Sequence, residues 1–485
     1  MNRVLPIVHV LGLVVLIFAF ALLLPVAVSL YFGDAAQRAY DEAFVITFGA
    51  GLFMWLGTRH KKRELQIKDG FLLVALVWAA LPAFATIPFL IYFPEISFTD
   101  AYFETVSGMT TTGATTLSGL DKLPPSINLW RAELVWVGGM GLIVLAVAVL
   151  PLLGIGGRQM FKAETPGPMK DSQLTPRIAQ TAKGLWLVYA LITLACILSF
   201  WAAGMSKFDA LMHAFSTMGL GGFSSHDASF GYFNSPLIEV VCIVFMLIAG
   251  VNFATHFLAF RTRSPAAYKH DSEAHAFWIV TLGSALIIAL YLVWWKAYPD
   301  FFTALRYSLF NTVSIATSTG FASTDYNQWP IFAPLVMLLL SCFASSSGST
   351  GGGIKMVRAM LLYKQGLREM VRLIHPNAML QVKFQGQVVP NNIIYAVLAY
   401  LFLYIVSVVV MTLLMTASGL DFITSFSAVV ASINNTGPGL NQVGPATTYA
   451  ALTDFQTWVC TFAMLLGRLE LFTFFVLFTR SFWRP

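Results

Sequence analysis

Four short glycine loops recur along this chain, each set between long apolar runs. They are Thr110-Thr111-Thr112-Gly113-Ala114, Gly219-Leu220-Gly221-Gly222-Phe223, Thr317-Ser318-Thr319-Gly320-Phe321 and Asn434-Asn435-Thr436-Gly437-Pro438. Their closing glycines recur roughly every hundred residues, and a fixed period sets an architecture before any local assignment does. Anchored on the glycine, the residues before it also align. Each loop follows a mostly apolar run that is too short to cross a bilayer but long enough for a half-helix. The chain therefore reads as a fourfold repeat of helix, short helix, glycine loop and helix.

What surrounds the loops decides their solvent. Hydrophobic residues make up 57% of the 485 residues, charged residues only 11%, and the mean hydropathy is +0.73. Soluble chains carry about a quarter charged residues, so a soluble multidomain reading is excluded. Apolar runs long enough for a hydrocarbon core fall at 4–31, 42–56, 71–92, 129–150, 185–203, 237–260, 277–295, 331–362, 393–414 and 455–478. The first run is too long for a signal-peptide core and lacks a small-residue cleavage site, so it reads as a retained span. The four cysteines, Cys196, Cys242, Cys342 and Cys460, lie in apolar runs and read as buried small hydrophobes rather than a disulfide framework. The expected fold is all-α and integral to the membrane, with about ten transmembrane helices. Its parts are two N-terminal helices at 1–68 and four units at 69–158, 183–263, 275–372 and 390–485.

Placing the N-terminus inside leaves only Arg38, Lys122, Arg131, Lys207, Lys296 and Arg306 of the 29 Lys and Arg outside, with Arg468 inside a span. The positive-inside rule then puts both termini in the cytoplasm and every glycine loop on the outer side. The net charge of +6 follows from this bias. Because the cations are dispersed between spans, they do not form a nucleic-acid surface. The inside stretches 158–183 and 364–383 are expected to be solvated loops.

Non-helical backbone at membrane depth is tolerated only where protein buries it or where it lines water. The carbonyl end of a half-helix favours a cation, and glycine lets the chain turn its carbonyls to one side. Four such loops around one axis would make rings of carbonyl oxygens able to replace a cation's hydration shell. No acidic residue stands in the loop pentapeptides, which argues against a calcium-type carboxylate ring.

On these motifs the chain resembles the membrane subunits of the Trk/Ktr/HKT superfamily of potassium transporters, most closely the bacterial TrkH/TrkG type. The resemblance spans essentially the whole chain. It covers the two extra N-terminal spans, one loop glycine per unit (Gly113, Gly222, Gly320, Gly437) and a Ser/Gly stretch in unit three. In that family glycine in all four units implies K⁺ preference, whereas serine in the first is associated with Na⁺ permeation. The resemblance implies that backbone oxygens of Thr111, Thr112, Leu220, Gly221, Ser318, Thr319, Asn435 and Thr436 coordinate the ion. The second loop departs from the Thr-x-Gly pattern, so any ring is only pseudo-symmetric. The resemblance further implies a homodimer in the bacterial inner membrane, docking a cytosolic nucleotide-binding regulatory subunit of the TrkA type.

Two features below the loops read as gates. The second span of unit three is interrupted by Ser345-Ser346-Ser347-Gly348-Ser349-Thr350-Gly351-Gly352-Gly353. Interior glycines cost about 1 kcal/mol each against alanine, so this run should break the helix. Gly348 follows Gly320 by the same 28 residues that separate Gly141 from Gly113 and Gly250 from Gly222, which places the break in the span below the loop. Broken helices at that depth line ion paths. A phosphate-loop reading fails, since Lys355 is one place late, no Ser/Thr follows it and no strand precedes it. Arg468 stands among apolar residues, and a charge there faces the bundle interior or a water path. It reads either as a positive barrier to cations, as the family's arginine in this span implies, or as a structural partner of Glu470, Glu239 or Glu104. The resulting expectation is K⁺ uptake driven by the membrane potential. A symporter coupled to H⁺ or Na⁺ is the alternative, although no separate coupling-ion site stands out. An intramembrane enzyme would need a convergent nucleophile–base or metal constellation, and none is visible.

Overall fold

A computed structural model of the chain describes residues 4–60, 65–141 and 178–484. The expected span 129–150 beyond Gly141, most of the stretch 158–183, and residues 61–63 of a basic run fall outside them. Where backbone cannot bond to water, helices satisfy their own polar groups. Among the described residues the strands amount to one two-residue hairpin, Lys383–Phe384 against Gln387–Val388.

Five described helices are long and apolar enough to cross a membrane: Val4–Phe32, Lys68–Tyr92, Ala182–Ala202, Ser272–Trp294 and Asn391–Ala417. They correspond to the first expected span and to the first span of each unit. The second N-terminal helix, Gln37–Gly57, starts earlier than the apolar run because Arg38 and Glu42 pair at 2.6 Å along its first turn. It crosses Val4–Ala19 closely. A Cβ on Gly12 would collide with Trp55 and Met54, and one on Gly51 with Leu16. Small residues at a crossing let two backbones approach where apolar solvent supplies no other driving force.

The second spans depart from expectation in a consistent way. The run 237–260 is not one rod: Pro236–Ala249 and Phe253–Thr262 meet at 91°. Asn252 accepts a bond from Ala254 N and starts the second piece as a fresh helix. The run 455–478 bends by 109° between Arg468 and Leu471, around Glu470 in the left-handed region at φ 57°. The break within 331–362 does occur, separating Phe332–Phe343 from Met356–Ile374. That second helix also corrects the expected loop at 364–383. It continues to Ile374 because Val357 and Leu361 bury themselves against Val382, Phe384 and Val389 around the hairpin.

Between the long helices lie four short ones: Phe98–Met109, Lys207–Gly219, Phe301–Ala316 and Phe422–Ile433. Each packs against the long helix before it and the helix after it. Each also begins on a side-chain cap. Ser97, Ser206, Asp300 and Asp421 accept bonds from the backbone N–H of Asp100, Asp209, Thr303 and Thr424. Such caps contribute about 1 kcal/mol apiece. With their N-termini satisfied, the four helices run inward and end on the glycine loops.

Candidate functional site

The four short helices end in one hydrogen-bonding pattern. Thr112 N, Gly221 N, Thr319 N and Thr436 N reach back five residues to the carbonyls of Ser107, Ser216, Ser314 and Ala431, at 2.8–3.0 Å. The residues just before them, Thr111, Leu220, Ser318 and Asn435, bond back three residues and stand at φ 59°, 55°, 58° and 53°. This is a Schellman turn, which ordinarily takes glycine at its left-handed position. Here a side chain occupies that position in every loop. The glycine follows two residues later, also with positive φ at Gly113, Gly222, Gly320 and Gly437.

The glycines are needed for a second reason, their proximity to the neighbouring loop. A Cβ on Gly113 would strike the carbonyl of Gly221, one on Gly222 that of Thr319, one on Gly320 that of Thr436, and one on Gly437 that of Thr112. Loop one meets two, two meets three, three meets four, and four meets one. The loops therefore close a ring whose four sides are residues 111–113, 220–222, 318–320 and 435–437. The helix ends aimed at this ring each carry about half a negative charge from their unpaired carbonyls. Above it opens a cavity lined by all four glycines, with Arg131, His226 and Tyr449 on its walls.

Side chains brace three of the loops. Thr110 and Thr112 join hydroxyls at 2.8 Å, and Thr317 and Thr319 at 2.7 Å. Asn435 donates to Thr112 Oγ1 and to Met464 O, tying loop four to loop one. Loop two, Leu220-Gly221-Gly222, has no comparable side chain of its own.

The Ser/Gly segment 345–353 lies directly against the opposite face of the ring. Ser318 Oγ accepts from Gly352 N at 2.7 Å, and Thr350 Oγ1 donates to Met218 O at 3.0 Å. A Cβ on Gly351 would meet Thr317 O, and one on Gly352 would overlap Asn434 O. The segment thus touches the ends of short helices two, three and four at once. Arg468 adds the first. Its guanidinium donates to Thr111 Oγ1 at 3.3 Å, to Thr350 O at 3.0 Å, and to the carbonyls of Gly138 and Gly139. The three acids weighed as its partners hold other arginines: Glu104 with Arg131, Glu239 with Arg306, and Glu470 with Arg358.

Residues that sequence reasoning passed over secure both ends of the segment. Buried Glu273 accepts from Ser347 N and Oγ at 2.6 and 2.7 Å and from Val357 N at 3.0 Å. Arg358 donates to both oxygens of Glu470 at 3.0 Å and stacks over Tyr400 at 4.0 Å. Lys355, at φ 77°, donates to Gly351 O. No short-range signal links Glu273 to residues so distant in the chain. Its neighbour Asp271 explains the local capping, which leaves Glu273 looking like an ordinary first-turn acid.

The profile of the TrkH family, described as cation transport protein, matches residues 37–484. The Trk system potassium uptake protein TrkH of Salmonella typhimurium is 44% identical over 98% of this chain and 98% of its own. The Trk system potassium uptake protein TrkG of Escherichia coli is 38% identical over the same shares. A crystal structure of the potassium transporter TrkH from Vibrio parahaemolyticus superposes with a TM-score of 0.89 at 43% identity, covering 99% of both chains.

Proposed function

This chain belongs to the TrkH family of cation transport proteins and is a multi-pass membrane transporter rather than an enzyme, and from that premise we propose that it takes up K⁺ across the bacterial inner membrane. The ion path runs through the ring. Backbone oxygens of Thr111, Thr112, Gly113, Leu220, Gly221, Gly222, Ser318, Thr319, Gly320, Asn435, Thr436 and Gly437 stand in for the water that K⁺ sheds. The observation that carries this reading is the cyclic approach of each loop glycine to a carbonyl of the next loop. Such a ring leaves no room for a side chain on its rim.

Segment 345–353 together with Arg468 forms the gate. The segment's contacts to three of the four helix ends, and the arginine's contact to the remaining loop, support a closed arrangement. Permeation is driven by the membrane potential, about 2.3 kcal/mol per charge per 100 mV. The four units at 69–158, 183–263, 275–372 and 390–485 and the N-terminal pair at 1–68 make one pore per chain. Two chains would pair, and a TrkA-like regulatory subunit would dock on the cytoplasmic face to move the gate, as the family resemblance implies.

The test is K⁺ and Na⁺ flux in proteoliposomes of the purified protein, with and without an imposed diffusion potential. The expected outcome is flux that follows the potential alone, with K⁺ well above Na⁺. If K⁺ uptake required a Na⁺ or proton gradient, the ring would be a binding site in a symporter instead.

A further inference from the structure

Behind the ring, the side chain nine residues before each of the first three loop glycines reaches forward to the segment leaving its loop. The three positions carry different chemistry: Glu104, His213 and Asn311. Glu104 accepts from Thr115 Oγ1 at 2.9 Å and Thr116 N at 3.1 Å. His213 donates from Nδ1 to Asp209 O, so its Nε2 accepts from Ser224 Oγ at 2.9 Å. Asn311 bonds Ser323 through both its amide groups. In the fourth short helix alanine stands at this position, and the adjacent Ser427 takes Leu440 N instead. Every loop exit is thus strutted to its own helix, and only the first strut pairs a carboxylate with an arginine.

That first strut extends to the next loop. Arg131 donates from Nε to Glu104 at 2.7 Å, from Nη2 to Thr115 Oγ1 at 3.2 Å, and from Nη1 across to Ser224 O at 3.1 Å. Its guanidinium also lies 4.2 Å over the ring of Phe223, the residue after Gly222. Glu104 is 0% exposed and Arg131 1%, so neither is a surface pair screened by solvent. The bridge lands on loop two, whose residues Leu220, Gly221 and Gly222 carry no hydrogen-bonding side chain.

We propose that Glu104 and Arg131 are positioning residues for selectivity: this buried ion pair fixes the spacing between loops one and two and so sets K⁺/Na⁺ discrimination. Whether discrimination comes from the size of the ring or the field of its carbonyls, it holds only while the carbonyls keep their places. Charge-assisted bonds in a dry site resist displacement more than neutral ones. The joint between loops one and two, which lacks a hydroxyl bridge within loop two, is where that resistance is needed. The inference rests on reading the ring as the selectivity filter.

The experiment compares K⁺/Na⁺ flux ratios of Glu104→Gln, Thr115→Val and Gly113→Ser with the native protein in proteoliposomes, with unfolding temperature recorded for each. Thr115→Val keeps the ion pair and removes only its hydroxyl link to loop one, so it decides the matter if Glu104→Gln fails to fold. In folded protein both strut variants are expected to lower the ratio about tenfold, the order set by losing one buried charge-assisted contact. Folded strut variants with the native ratio, beside a Gly113→Ser that shifts it, would overturn the positioning role. A Gly113→Ser that left the ratio unchanged would instead overturn the filter reading on which the inference rests.

Discussion

At the scale of single residues, the site is held by conformations that side chains avoid. Thr111, Leu220, Ser318 and Asn435 sit in the left-handed region, which costs of order 1–3 kcal/mol each and persists only where surroundings enforce it. The pentapeptides show glycine as the conformationally free residue. They do not show that the left-handed turn falls two places earlier, because that depends on where each helix stops. Arg468 was legible as a charge in an apolar run, but its partners were not: they include backbone carbonyls and a hydroxyl from three distant segments. Hydrogen bonds to a charged group contribute about 1.5–3 kcal/mol each. Arg468→Ala is therefore expected to free the segment and raise K⁺ flux about tenfold or more in a proteoliposome assay; folded protein with unchanged flux would refute the barrier role. At the rim of the cavity, His226 Nδ1 meets Asp121 at 2.5 Å, Nε2 lies 3.3 Å from Asp209, and the ring stacks on Tyr232. Burial pulls the imidazole pKa down, but the bonds and charges of Asp209 and Asp121 outweigh it and leave it raised. A raised histidine contributes stability that is full below its unfolded value, about 6.5, and is lost as pH climbs through the folded one. The native protein should exceed His226→Gln in unfolding temperature at about pH 5, and the gap should vanish by about pH 9; a gap independent of pH would show that the tie is not ionic.

At the scale of elements, helix breaks shape the surroundings of the ring, and they differ in how visible they are. The break at 345–353 is written in the sequence as a run of serine and glycine that cannot hold a helix. The bends at 250–252 and 469–470 are not. A single Gly250 within an apolar run is compatible with a straight span, and only the packing of Ser346 N onto Gly250 O and Phe253 N onto Gly348 O shows why it turns. Likewise Glu470 reads in the sequence as a candidate partner of Arg468, and only the fold shows Arg358 reaching it from the far end of the segment. If segment 345–353 blocks the path, deleting part of it should raise K⁺ flux well above native at equal protein in the membrane. Flux that stays level or disappears in folded protein would remove the gate assignment. Glu273→Gln leaves the segment intact but weakens its latch to Ser347 and Val357, each a bond of about 1.5–3 kcal/mol to a charged acceptor. A smaller rise in flux than the deletion produces is expected in the same assay, and no rise would show that Glu273 does not restrain the segment.

At the scale of the whole molecule, charge and symmetry act together. The bias of Lys and Arg toward alternate loops favours both termini and helix Met356–Ile374 on the cytoplasmic side. Single cysteines placed at exposed Ala446 or Thr447 and near the C-terminus should react with an impermeant thiol reagent from opposite sides of intact cells. Labelling from the same side would reverse or break this topology. The four short helices, each capped at one end and buried at the other, converge because each is packed between the long helix before it and the helix after it. Closure of the ring then follows from chain order, since neighbouring segments become neighbouring quadrants.

Composition, period and charge were enough to determine an all-helical membrane protein, four recurring glycine loops, a broken helix after the third, and an arginine within the last apolar run. All of these are local or periodic properties, readable wherever a residue type conflicts with its surroundings. Tertiary structure alone decided which carbonyl each glycine faces, which acid each buried arginine takes, and where the second spans bend. Those outcomes pair residues such as Glu273 with Ser347, or Gly437 with Thr112. A pairing across so much chain is selected by the packing of the intervening helices, and no stretch of sequence short enough to read by pattern contains both partners.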